Sequence, residues 1–131
     1  MIKFPLLAIL LFVGAFLFGQ TRSEKEIKDL LAHKWKATHM EQGGQKMPIP
    51  TEAGDSFLDI KADGTLIEIS SEGQKKSKWS YDHRTKTFTV SNEVDPLDPW
   101  KFELIKVSET ELVIKATEDG MTMNMYLKRV N

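Results

Sequence analysis

The chain has 131 residues, 40% hydrophobic and 28% charged, and its 18 Lys and Arg against 19 Asp and Glu leave a formal charge of −1. This balance suits one ordinary globular domain and offers no broad positive surface to nucleic acid or anionic lipid. The absence of cysteine removes disulfide frameworks, thiolate nucleophiles, cysteine-based zinc sites and a lipidated cysteine anchor.

In chain order, the first element is an export segment over residues 1–20. Lys3 supplies a basic start, an apolar run follows from Phe4 to Phe18, and Gly19 and Gln20 lead into the charged stretch Arg22, Glu24, Lys25, Glu26. A secretory signal core is about 7 to 15 residues long whereas a bilayer span needs about 20, so the run reads as a signal peptide, with an uncleaved anchor as the alternative. Cleavage is expected after Gly19 or Gln20. Removing the first 20 residues, with Lys3 among them, leaves 111 residues and takes the formal charge from −1 to −2. The remaining domain, 21–131, is large enough for one modest core and is expected to be secreted or periplasmic, with no membrane contact after cleavage.

A short helix comes next. Ser23 with Glu26 three positions on is a capping-box pattern, and Ile27, Leu30 and Leu31 fall on one face. From Lys34 the chain alternates instead, with strands expected at 34–40, 56–61, 65–70, 77–81, 86–91, 100–107, 111–117 and 121–129. Short polar links such as Ala62-Asp63-Gly64, Ser71-Glu72-Gly73, Asp82-His83-Arg84 and Glu118-Asp119-Gly120 suit tight hairpins. The apolar parity runs through Trp35 and Ala37, Ile67 and Ile69, Trp79 and Tyr81, Phe88 and Val90, then Trp100, Phe102 and Leu104, and ends with Met121, Met123, Met125 and Leu127. Eight antiparallel strands with one apolar face bury it by closing into a barrel or by folding into two sheets.

Two connections are longer. Residues 41–55 hold Gly43, Gly44, Pro48, Pro50 and Gly54, and residues 92–99 hold Pro96 and Pro99. In an up-and-down meander both fall at one end, which is expected to be open. The helix and the turns at Asp63, His83 and Ser108 to Thr110 fall at the other, closed end.

These residues carry a family resemblance. His33-Lys34-Trp35 after the helix, the hairpin Ile60-Lys61-Ala62-Asp63-Gly64-Thr65, Trp79-Ser80-Tyr81 and Glu111-Leu112-Val113-Ile114 resemble small secreted bacterial lipocalin-like domains, over roughly residues 30 to 130. The resemblance implies an all-β, eight-stranded up-and-down antiparallel barrel of calycin type, with a short N-terminal helix at its closed end. It also implies that Trp35 and Arg129 stack at the barrel base. The family's glycine two residues before that tryptophan is His33 here, which points to an offshoot of the classical family.

Motifs for catalysis are sparse. Asp59-x-Lys61-x-Asp63-Gly64 has the outline of a calcium loop, but Lys61 and Ser70 stand where oxygen ligands are needed, so a hairpin turn is expected. His33, His39 and His83 have no zinc-ligand spacing, and Asp95 and Asp98, beside Pro96 and Pro99, read as a rigid exposed turn. No nucleophile-elbow, zincin or phosphate-loop motif occurs, so no enzyme, metal or cofactor is expected.

Two functional readings remain open. In the first, the barrel holds a small, mostly hydrophobic ligand in its upper half. Trp79, Trp100, Met121 and Met123 form the walls, His39 supplies a polar contact and residues 41–55 cover the mouth. In the second, the same aromatics and methionines simply fill a solid core, and the protein is a non-enzymatic interaction module that binds a protein partner through its loops or edges.

Overall fold

The computed structural model describes residues 22–50, 54–92 and 98–130. The expected export segment, together with Asp95 and Pro96, lies outside the described residues. The helix α1 (Glu24–Leu31) is capped by Ser23, whose Oγ accepts a hydrogen bond from the Glu26 backbone N–H at 3.2 Å. Ile27 and Leu31, one turn apart, are its buried residues.

The strands are β1 (Lys34–Gln42), β2 (Gln45–Pro48), β3 (Phe57–Ile60), β4 (Thr65–Ser70), β5 (Gly73–Asp82), β6 (Thr87–Asn92), β7 (Trp100–Val107), β8 (Glu111–Glu118) and β9 (Met121–Val130). Each of β3 to β9 pairs antiparallel with the next, and β1 pairs with both β3 and β9. The β1–β9 ladder, from Lys34 opposite Val130 to Gln42 opposite Met123, closes an eight-stranded barrel. Closure removes the sheet edges and directs one apolar face inward.

The strand β2 is additional. Gly43 and Gly44, with φ of 61° and 78°, make a two-residue turn that needs positive φ at both positions. Residues 41–48, expected to lie within a long loop, are therefore largely hairpin. Both β2 and β3 lie along the same side of β1, β2 against its upper half and β3 against Lys34–Lys36. The Ile49 N–H donates to the Thr38 carbonyl, and the Ala37 N–H to the Ser56 carbonyl, at 3.0 Å each. Ile49 and Ser56 are thus both hydrogen-bonded to β1.

Two β-bulges set which side chains face inward. On β1, Ala37 lies opposite Leu127 and His39 opposite Tyr126, so Thr38 is extra. On β7, Leu104 lies opposite Ile114 and Lys106 opposite Val113, so Ile105 is extra and points out, 49% exposed. Each bulge reverses the strand's parity beyond it. Leu104 and Val107 are therefore both buried, three residues apart.

The core fills the closed half. Leu31, Trp35, Leu66, Phe88 and Leu112 are wholly buried, and Ile60, Ile114 and Leu127 nearly so. The Trp35 indole N–H donates to the Leu31 carbonyl at 3.0 Å, tying the end of α1 to the barrel floor. Arg22 adds a bond from its guanidinium to the Val107 carbonyl at 2.8 Å.

Two expectations about this face are corrected. On β4 the inward residue is Leu66, opposite Ile60, while Ile67 lies opposite Asp59 and Ile69 opposite Phe57 on the outer face. Apolar content misled because this strand carries its isoleucines outside. Arg129 is the direct cross-strand partner of Trp35, yet it does not stack on the indole: its guanidinium reaches the Glu109 carbonyl at 3.4 Å. Cation–π contacts among the described residues are instead Lys34 over Phe57 and Lys46 over Tyr126.

Candidate functional site

Above the packed floor the barrel interior opens into a cavity of ≈ 820 Å³. One wall is apolar, made by Ala37, Met40, Ile49, Leu58, Met125 and Leu127. The other carries Glu68, Ser70 and Lys75 from the β4–β5 hairpin. The pairing explains this division. Met40 faces Met125 across β1 and β9, whereas Glu68 stands between Leu58 on β3 and Lys75 on β5. Directly opposed residues share a face of the sheet, and Trp35, opposite Leu58, fixes that face as the inner one.

The opening is lateral as well as terminal. Because β2 pairs with β1 alone, and β4 extends past the last β3 pair to Ser70 opposite Gly73, the sheet is split between β2 and the β4–β5 hairpin. Ile49 and Pro50 line one side of this slot, and Ser70, Glu72 and Gly73 the other. Gly54, at φ 75°, brings the returning chain against Ser71: a Cβ placed there would lie 3.4 Å from the Ser71 Cβ. The backbone of residue 54 therefore abuts the hairpin tip and narrows the slot.

Of the residues expected to form the ligand site, two lie elsewhere. Trp79 is at the closed end. Its indole N–H donates to the Lys61 carbonyl at 2.7 Å, and its ring borders a shallow groove with Ala62 and the α1 residues Glu24, Lys25 and Lys28. The expectation of an upper-half position assumed that its strand began at 77, but β5 begins at Gly73 and carries Trp79 a further four residues down. There it meets Phe88 at 5.8 Å between ring centroids. His39 is on the outer surface, since the Thr38 bulge turns it away and turns Met40 in. It borders a shallow depression with Lys46, Glu111 and Tyr126. Beside it the Tyr126 hydroxyl donates to the Glu41 carboxylate at 3.4 Å, and burial first, with the Glu41 charge second, raises the Tyr126 pKa.

The other three sit at the mouth. Met121 and Trp100 begin β9 and β7 at the open end and are 60% and 56% exposed. Met123, half-buried, lies two residues above Met125 on the same face. The cavity-lining Met40, Met125 and Leu58 were not singled out as ligand contacts. Met40 was hidden by the unseen bulge, whereas Met125 was visible in the alternation of the last strand.

The three histidines, and Asp59, Asp63 and Asp98, do not line the cavity. Among the described residues no three of His, Asp and Glu gather as a metal site requires. The Asp59–Asp63 stretch is a hairpin turn: Asp63 accepts the Thr65 N–H at 2.9 Å, which lowers its pKa, and Asp59 pairs with Lys61 at 3.5 Å. Asp98 is exposed. His33, at the barrel floor, has its pKa lowered, first by burial and then by the nearby Arg129 charge.

No protein-family model and no curated protein matches the chain. Among solved structures, a lipocalin-like protein from Bacteroides uniformis is similar, at 12% identity and a TM-score of 0.57, over 77% of this chain and 99% of that one. At that identity the likeness concerns architecture. Taken with the closed eight-stranded meander and the helix at its base, it shows that the chain has a lipocalin-like, calycin-type β-barrel fold.

Proposed function

We propose that the protein is a secreted, non-enzymatic binding protein that holds one small, mostly hydrophobic molecule in the open half of its barrel. The observation that carries this reading is the cavity of ≈ 820 Å³, with Met40, Met125, Leu58 and Leu127 on its apolar wall. Ligand pockets commonly measure about 300–1,000 Å³ and combine apolar walls with a few polar groups. Methionine side chains are flexible enough to fit irregular apolar shapes. The slot beside β2 supplies an entry path, and Ile49 and Pro50 lie at its edge.

The rest of the reading rests on the sequence. The basic start and apolar run of residues 1–20 support export and removal of that segment near Gln20, leaving a domain of residues 21–131. No helix among the described residues is long and apolar enough to cross a membrane.

Native mass spectrometry of the protein purified from its source tests the reading. A co-purified small molecule, one per chain and lost on substitution of Met125 by Arg, is the expected result. A bare chain that also fails to take up the apolar probe N-phenyl-1-naphthylamine favours the alternative of a protein–protein interaction module. The exposed Trp100 and Met121 at the open end are the feature such a module would use.

A further inference from the structure

One cavity residue is not explained by folding. Glu68 is half-buried on the barrel's inner face, and its backbone neighbours across the sheet are Leu58 and Lys75. Among the described residues its carboxylate has neither a hydrogen-bond partner nor an ion-pair partner. Lys75, directly opposite, is exposed and forms no ion pair with it. By contrast, Asp55 pairs with Lys36, Glu103 with Lys115 and Glu111 with Lys106.

A carboxylate without a partner, close to an apolar wall, has its acceptor capacity open to a ligand. Such a group is stabilised when a cation donates to it, and a charge-assisted hydrogen bond is the stronger kind. Among the described residues the ionisable side chains lining the cavity are Glu68, Glu72 and Lys75, which together carry one net negative charge. Met40 and Met125 line the same cavity and suit a chain or ring of hydrocarbon.

We infer that the cavity selects a cationic amphiphile, with its apolar body against Met40 and Met125 and an ammonium-type head group on the Glu68 carboxylate. This inference rests on the barrel's being a small-molecule carrier, as proposed above, and adds the chemical class of the ligand. The head group reaches Glu68 past the exposed Ser70 and Gly73 at the slot.

Three probes of equal chain length separate the inference from the reading beneath it: dodecylammonium, dodecanol and dodecanoate, each displacing N-phenyl-1-naphthylamine below its micellar concentration. The expected order places dodecylammonium about five- to tenfold tighter than dodecanoate, with dodecanol between. Glu68→Gln, nearly isosteric, should erase the cationic preference, and an unchanged far-ultraviolet circular dichroism spectrum and unfolding midpoint show that the variant is folded. Lys75→Gln should widen the preference. Equal binding of the three probes, a preference for dodecanoate, or a cationic preference that survives in Glu68→Gln overturns the inference and leaves the carrier reading standing. If none of the three displaces the naphthylamine, or the naphthylamine itself does not bind, the carrier reading fails and this inference fails with it.

Discussion

Substitution of Trp35 by alanine probes the join between helix and barrel. The indole is fully buried, and its N–H donates to the Leu31 carbonyl at 3.0 Å, in the last residue of α1. Truncating a buried tryptophan to alanine typically costs about 3–5 kcal/mol in lost contacts and residual cavity. The Leu31 carbonyl also loses its side-chain donor, and a net hydrogen bond is worth about 0.5–1.5 kcal/mol. Trp35→Ala should therefore lower stability by about 4–6 kcal/mol, much of the total available to a domain of this size. Trp35→Phe keeps most of the apolar contact and loses the hydrogen bond, so its cost should be about 1–2 kcal/mol. Urea unfolding followed by far-ultraviolet circular dichroism measures both. The reasoning fails if Trp35→Ala moves the stability by less than about 1 kcal/mol, the range of an ordinary surface substitution, or if phenylalanine costs as much as alanine.

Three further outcomes follow from the placements described above. Because the Thr38 bulge turns Met40 inward and His39 outward, Met40→Ala should weaken naphthylamine binding severalfold and His39→Ala should leave it unchanged; the opposite pattern would place the bulge wrongly. His33 has a lowered pKa in the fold, so the unfolded chain binds its proton more readily. Its contribution is present above the unfolded value, near 6.5, and declines as pH falls from there toward the lowered folded value; His33→Gln should flatten that part of the stability–pH curve measured by thermal unfolding, and an identical slope in the variant contradicts the assignment. Trp100, 56% exposed, should cost less than about 1 kcal/mol on substitution by alanine, while its emission responds to a probe at the mouth and that of Trp79, against the helix, does not; a response confined to Trp79 would reverse the orientation of the barrel.

Much of the fold is visible in the alternation. β4 and β7 run over the expected residues, and the helix begins at the capping box formed by Ser23 and Glu26. The turns are legible because their backbone demands particular residues. Asp119 and Gly120, with φ of 52° and 78°, are one case, and the Asp63 side chain that accepts the Thr65 N–H is another. The hairpin extensions beyond the packed core are silent instead. Gly73 to Lys76 and Gln45 to Pro48 are exposed on both faces, so period-two alternation has nothing to report there.

The site was less legible for a related reason. A bulge changes the count of residues on one strand and leaves no mark in hydrophobicity, since Thr38 and Ile105 are ordinary strand residues on either parity. Missing the one at Thr38 placed His39 inside in place of Met40. Missing the first four residues of β5 placed Trp79 in the upper half of the barrel, when it packs beside Lys61 and the helix. Glu68 was masked in a different way. With Ile67 and Ile69 on either side, the sequence assigns it to solvent, and only the pairing of Leu66 with Ile60 shows that its face is the inner one.

The measurement closest to the central claim is a methyl-resolved NMR titration. Five methionines remain after residue 20: Met40, Met47, Met121, Met123 and Met125. With their methyl groups carbon-13 labelled and N-phenyl-1-naphthylamine added stepwise, Met40 and Met125, on the cavity wall, should shift together and saturate at one probe per chain, with Met121 at the rim much less affected. Shifts confined to Met47 and Met121, or none at any methyl, would mean that the barrel's open half does not hold a ligand.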